Sequence, residues 1–268
     1  MANAPAPSID THFHLFAQPH AVAARARYQP AYAASYQAWQ ALAGSAGIAE
    51  GLVVQPSFLG TDNSELIAAL DAHPNLRGVA VLGPDASAEQ IKELDRHRVT
   101  GLRWNMVGQS QHARWRDPGW AAVLRDAHAL GWHLELHVDP GELPLALAQL
   151  PQVPIPLVLD HFGKPAADPV LAQATFDAAA RCAQARPVFV KLSGPYRNPG
   201  IDLAWAARQW RARLGPDSLL WGSDWPWTNH ESALDYSRCS ELASAWLADR
   251  PADVAALDRN ARSLFGFD

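Results

Sequence analysis

Short apolar, β-branched runs recur along the chain, separated by longer stretches in which apolar residues return every three or four positions. The runs at residues 8–16, 51–55, 77–82, 100–106, 133–138, 156–161, 188–193 and 219–224 read as strands. Between them, residues 64–73 set Leu66, Ile67 and Leu70 at helical spacing. Residues 89–97, 120–130, 142–150, 171–185, 203–214 and 234–247 repeat that pattern. Strands that alternate with helices predict parallel βαβ units. Eight such units in 268 residues fit a closed barrel, which typically takes about 250 residues, better than an open sheet. The expected fold class is therefore α/β, a single (β/α)8 TIM barrel over residues 1–268 with a long loop after the first strand. That loop, residues 17–47, carries Tyr28, Tyr32, Tyr36 and Trp39, and connections of this length usually serve as lids or binding loops. The tail, residues 251–268, is expected to pack a last helix against the barrel.

Composition removes several classes. Apolar residues make up 49% and charged residues 18%, which supports a large core and argues against disorder. The net charge of −5 argues against nucleic-acid binding, which needs a basic stripe. The two cysteines, Cys182 and Cys239, exclude a disulfide scaffold, and reduced thiols are the simpler reading although one bridge is open. The opening MANAPAPSID lacks a basic segment followed by an apolar one. No run of about 18 apolar residues occurs, so no membrane span is expected. The expected location is the cytoplasm.

In such barrels the chemistry gathers at the C-terminal ends of the strands. Strand one ends in Asp10-Thr11-His12-Phe13-His14, and alternation puts His12 and His14 on one face. A lone His-x-His is weak, but His137 and His161 on later strands strengthen it, because convergent histidines are costly to bury without a role. Asp224 ends strand eight, where it could ligate a metal or take a proton from water. The alternative is a cap on the following helix, for which Ser232 lies closer. Arg103 on strand four could grip a substrate carboxylate or form an internal salt bridge. Arg197 looks better exposed for anion capture. Lys164 and Lys191 look like scaffold braces, Asp10 could orient a histidine or be structural, and Glu135 could balance Arg103 or react. There is no G-x-S-x-G, no phosphate-binding G-x-x-x-x-G-K-[ST] and no H-E-x-x-H.

The set IDTHFHLF, GLRWN, VLDHFGKP, VKLSGPYR and WGSDWPW resembles the amidohydrolase superfamily. Within it, the similarity is to the branch of 2-pyrone-4,6-dicarboxylate lactonase and related sugar-lactone and muconolactone hydrolases. The resemblance implies that His12, His14 and His161 take the strand-one and strand-six positions, and that Asp224 takes the position of the general base. It places Arg103 where metal-rich relatives have a bridging carboxylated lysine, and Ser57, Tyr196 and Arg197 around the substrate. A fixed guanidinium supplies no ligand atom, which disfavours a binuclear centre. Two departures stand out. His137 occupies a place where the resemblance implies tyrosine, and it could complete a mononuclear set of His12, His14, His137 and Asp224. The segment Asn105-Met106-Val107-Gly108-Gln109-Ser110-Gln111 lacks a basic residue for a second substrate carboxylate.

The resulting expectation is a hydrolase that opens a small anionic lactone. Asp224 would activate water, His12, His14 and His161 would polarise the carbonyl, and Arg103 and Arg197 would orient a carboxylate. Tyr28 would cover the ring, with Ser57, Tyr196 and His137 also at the substrate. No cofactor is expected; the alternative is a single zinc or manganese ion in a metallo-lactonase or decarboxylase. The expected partner is the small substrate alone, with no nucleic acid and no membrane, and homo-oligomerisation is open.

Overall fold

The apolar runs pair in chain order. In the computed structural model, which describes residues 6–18, 22–23, 26–108 and 117–268, the strands are β1 (Ile9–Phe13), β2 (Glu50–Val54), β3 (Leu76–Ala80), β4 (Val99–Asn105), β5 (His133–His137), β6 (Leu157–Leu159), β7 (Val188–Leu192) and β8 (Leu219–Trp221). They form one parallel sheet in the order β1 to β8. β8 then returns to β1. The Asp224 N–H donates to the His12 carbonyl at 2.7 Å, and the His14 N–H donates to the Trp225 carbonyl at 2.8 Å. The Thr11 hydroxyl donates to the Trp221 carbonyl at 2.6 Å. These bonds close the (β/α)8 barrel. The seam requires a glycine, because a Cβ on Gly222 would lie 2.5 Å from His12 Cβ and 2.8 Å from its backbone nitrogen.

Eight helices each follow a strand: α1 (Tyr36–Ser45), α2 (Ser64–Ala72), α3 (Ala88–Arg96), α4 (Gly119–Ala129), α5 (Leu143–Ala148), α6 (Pro169–Cys182), α7 (Leu203–Leu214) and α8 (Tyr236–Trp246). Ser35, Ser87, Asp168, Asp202 and Asp235 accept first-turn N–H groups and fix five of the starts. The cap on α8 is thus Asp235 and not Ser232. A ninth helix, α9 (Ala252–Phe265), runs to the barrel's N-terminal end. There Phe265 and Phe267 join Leu52, Val54, Val79, Val158 and Leu220 in a buried cluster, and the Phe265 ring sits 4.9 Å from that of His133. Only the opposite mouth is left for chemistry.

The 17–47 connection is shorter than the sequence pattern suggests. Its second half is α1, and Trp39 belongs to the core. The indole of Trp39 stacks on Phe13 with centroids 4.2 Å apart, and its N–H donates to Asp10 at 3.2 Å. Cys182 and Cys239 are free thiols. Among the described residues no helix is long and apolar enough to cross a membrane.

Candidate active site

The ends of β1, β5, β6 and β8 bring together the histidines and the aspartate singled out from the sequence. His12, His161 and Asp224 are fully or almost fully buried, and His14 nearly so. Asp224 and His161 lie in the left-handed region, with φ of 59° and 51°, a conformation that costs side-chain-bearing residues energy and recurs at functional sites. Gly194, just beyond β7, makes their approach feasible. A Cβ there would fall 2.8 Å from His161 Nδ1 and 3.2 Å from Asp224 Oδ2, and the residue itself has φ of 55°. Asp10 proves to be structural. Its carboxylate accepts from Ser223, Trp39 and Tyr236 side chains and from the His12 and Ser223 N–H groups, tying β1 to the β8 end.

Hydrogen bonds fix the proton positions on two rings, His14 and His137, and offer His12 two arrangements. His14 Nδ1 lies 2.7 Å from the Val54 carbonyl, which can only accept. Neutral His14 therefore presents a lone pair on Nε2, 3.6 Å from Asp224 Oδ1. His12 Nδ1 lies 3.1 Å from Lys191 Nζ, a donor, and 3.3 Å from Asp160 Oδ1, an acceptor; when it accepts from Lys191 its proton stands on Nε2, also 3.6 Å from Asp224 Oδ1. His137 Nδ1 lies 3.2 Å from Arg103 Nη2 and accepts from it, leaving a proton on its own Nε2. Burial depresses the basicity of His14, His137 and His161, the last two well below the ordinary imidazole value, and favours these three rings neutral. The fourth ring, His161, has Nδ1 3.0 Å from Ser193 Oγ.

Asp224 has two unlike oxygens. Oδ2 accepts from the Tyr196 hydroxyl and from Arg197 Nε, each at 2.5 Å. Oδ1 has no partner within hydrogen-bond distance among the described residues, and the same holds for Nε2 of His12 and of His161. Burial alone would raise the Asp224 carboxyl, but Arg197 and His161 outweigh it and hold it well below the usual carboxylate range. Arg197 is thus held by Asp224 and is less exposed than expected from the sequence. Arg103 donates from Nε to Asp160 Oδ2 at 2.9 Å, while Glu135 pairs with Lys191. The Arg103–Glu135 pair considered from the sequence does not form. The two are register partners across β4 and β5, but Asp160 stands two residues beyond Val158, the β6 partner of Glu135, and Arg103 extends to that higher level.

Above this floor lies a cavity of about 390 Å³ lined by His14, Tyr28, Ser57, Arg103, His137, Tyr196, Arg197 and Asp224 among others. His12 and His161 sit behind that wall. Two basic residues with no assigned binding role also line it, Arg27 and Lys164. Arg27 escaped notice because it comes from the first loop, with no strand end to mark it. Lys164 looked like a brace because it follows the His161 turn. Gln109, Ser110 and Gln111 lie outside the described residues.

The donor atoms fall into two groups of three that could hold a metal ion, His12–His14–Asp224 and His12–Asp160–His161. His137, expected to complete a mononuclear set, belongs to neither.

The profile of the amidohydrolase family matches residues 9–267. The chain belongs to that family. It is similar to 4-sulfomuconolactone hydrolase of Hydrogenophaga intermedia, 24% identical over 241 residues, 87% of this chain and 78% of the relative. It is 28% identical to the 2-pyrone-4,6-dicarboxylate hydrolase of Comamonas testosteroni over 242 residues, 84% of this chain and 78% of the relative. A solved structure from Acinetobacter baumannii, assigned as a 2-pyrone-4,6-dicarboxylic acid hydrolase and holding citric acid, matches with a TM-score of 0.87 at 30% identity. That match covers 97% of this chain and 99% of the other.

Proposed function

We propose that this amidohydrolase opens a small anionic lactone by adding water to its carbonyl. The observation that carries the proposal is the convergence of His12 Nε2–H, His14 Nε2 and Asp224 Oδ1 under a cavity with four cations on its wall. One donor and two acceptors match the two lone pairs and two hydrogens of water. His12 donates to the water oxygen, and His14 and Asp224 accept its hydrogens. Asp224 Oδ1 takes one proton as the oxygen bonds to the lactone carbonyl carbon. The carbonyl electron pair moves to its oxygen, where the Nε2–H of His137 meets the charge, joined by that of His161 when Ser193 donates to its Nδ1. Collapse of the tetrahedral centre breaks the ring C–O bond, and the leaving oxygen takes the proton from Asp224. A depressed Asp224 is a weak base, but it is ionised at any working pH, and a lactone has a better leaving group than an amide.

The relatives favour this chemistry, since both curated ones are named as lactone or pyrone hydrolases. Arg103 and Arg197 orient the anionic substrate while held by Asp160 and Asp224, Ser57 and Tyr196 shape its pocket, and Tyr28 covers the ring. The donor set also fits one divalent ion: His12, His14 and Asp224 would hold it, with the His12 Nδ1 proton turned to Asp160 Oδ1 at 3.3 Å. When bound, such an ion acidifies water and polarises a carbonyl.

The test is to incubate the purified protein with 2-pyrone-4,6-dicarboxylate and a panel of other lactones, following loss of the ring chromophore and identifying the product acid. Asp224→Asn should lower kcat by about 100-fold or more, the typical contribution of a positioned base, with circular dichroism unchanged. Wild-type protein that opens no lactone, or an Asn variant within about tenfold of wild type, would overturn the proposal.

A further inference from the structure

Among the described residues four cations line the cavity, but they are not equivalent. Arg103 and Arg197 are matched inside the protein by Asp160 and Asp224, both fully buried. Lys164 donates to the Arg197 carbonyl, and Arg27 contacts the neutral Asn105 Oδ1 from Nη2 at 3.4 Å. Among the described residues neither Arg27 nor Lys164 has an acidic partner within ion-pair distance. Among the described residues, the surplus positive charge of the mouth therefore resides on these two.

Arg27 also differs in place. It descends from the loop after β1 onto Asn105, at the end of β4, whose register partner is His137 at the end of β5. Asp224, Tyr196 and Arg197 stand beyond β7 and β8, across the barrel mouth. The stem of Arg27 lies over Gly108, where an added Cβ would be 3.6 Å from its Cδ. Nothing basic occurs between Asn105 and Gln111, and among the described residues the cation beside this wall is Arg27. Asp139 faces the same region and acts on both free cations at longer range, but its Oδ2 already accepts the Gly108 N–H at 2.7 Å. A long contact to a neutral amide is readily exchanged for the two-pronged bond that guanidinium makes with a carboxylate.

We propose that Arg27 is a specificity-determining residue that reads a second anionic group on the substrate, across the cavity from Asp224. This rests on the lactone-hydrolase reading and narrows it to lactones with two separated negative groups.

The test separates binding from turnover. Binding of pyridine-2,4-dicarboxylate and pyridine-2-carboxylate, two unreactive planar acids, is measured by calorimetry for wild type, Arg27→Gln and Arg27→Lys. Turnover of 2-pyrone-4,6-dicarboxylate and 2-pyrone-6-carboxylate is measured alongside. The expected result is that Arg27→Gln lowers the preference for the diacid about tenfold or more, equivalent to about 1.4 kcal/mol, in both Kd and kcat/KM. Arg27→Lys should keep that preference within about threefold of wild type, since the charge is retained. A wild type that binds the diacid no better than the monoacid would overturn the proposal, as would a Gln variant that weakens both probes equally. If lactones are opened but the preference is unmoved, the subsite fails and the lactone reading stands. If the preference moves but no lactone is opened, the lactone reading fails and the anion subsite stands.

Discussion

Lys164 shows how one buried side chain sets a pH limit. It is 8% exposed, and burial, reinforced by the nearby Arg197, brings its ammonium down to about 8. Below that value it adds a positive charge to the cavity wall, and above it the charge is gone. For an anionic lactone, kcat/KM should fall as pH rises through about 8, mainly through KM, because this quantity reports the ionisation of the free enzyme. Lys164→Met should remove that limb and start from a higher KM. The sign for stability is opposite. Unfolded lysine titrates near 10.4, so between about 8 and that value the unfolded chain holds more protons, and the fold gains stability with rising pH. A basic limb that persists unchanged in Lys164→Met would assign it to another group.

At the scale of elements, the barrel closes where β8 meets β1, and the same backbone bonds that close it set the positions of His12 and Asp224. Gly222→Ala tests this coupling. The new methyl would meet the His12 backbone and Cβ at 2.8 and 2.5 Å, and backbone yields less readily than a flexible side chain. The expected cost is about 1–3 kcal/mol by urea unfolding, with a loss of turnover because His12 and the Asp224 turn are displaced together. Unaltered stability would show that the seam is slack. The strands were legible because their apolar runs are bounded by turn residues and spaced evenly. Helix α1 was not: only Trp39 and Ala43 of its ten residues are buried, so it shows little apolar stripe and its aromatics suggest a lid. The charge pairing was also hidden. Whether Arg103 meets Glu135 or Asp160 depends on levels inside a closed barrel, and sequence spacing carries no record of those levels. The histidines and Asp224 were legible because each ends a strand, whereas Arg27 sits in a loop that only the fold brings over β4.

For the molecule as a whole, a chain of net charge −5 concentrates cations at one mouth, which steers small anions inward and bears on whether the site takes a metal. His12, His14 and Asp224 offer suitable donor atoms, but their surroundings already supply positive charge. Arg197 Nε lies 2.5 Å from Asp224 Oδ2, and Lys191 donates to His12 Nδ1, which keeps the Nε2 proton pointed at Asp224. A dication would have to displace that proton toward Asp160 and sit beside a fixed guanidinium, and like charges a few ångströms apart repel strongly in a protein interior. Water meets neither cost. Activity is therefore expected to stay within about twofold of its starting value after dialysis against a strong chelator, with elemental analysis confirming that the protein is metal-poor. If activity disappears and zinc or manganese restores it, the proton on His12 lies on the Asp160 side, and Lys191 has a different role. A Lys191→Met variant then separates the two cases: losing the Nδ1 donor should weaken a water-based site but leave a metal-based one its ligands, with the cost of unpaired, buried Glu135 read separately from the melting temperature.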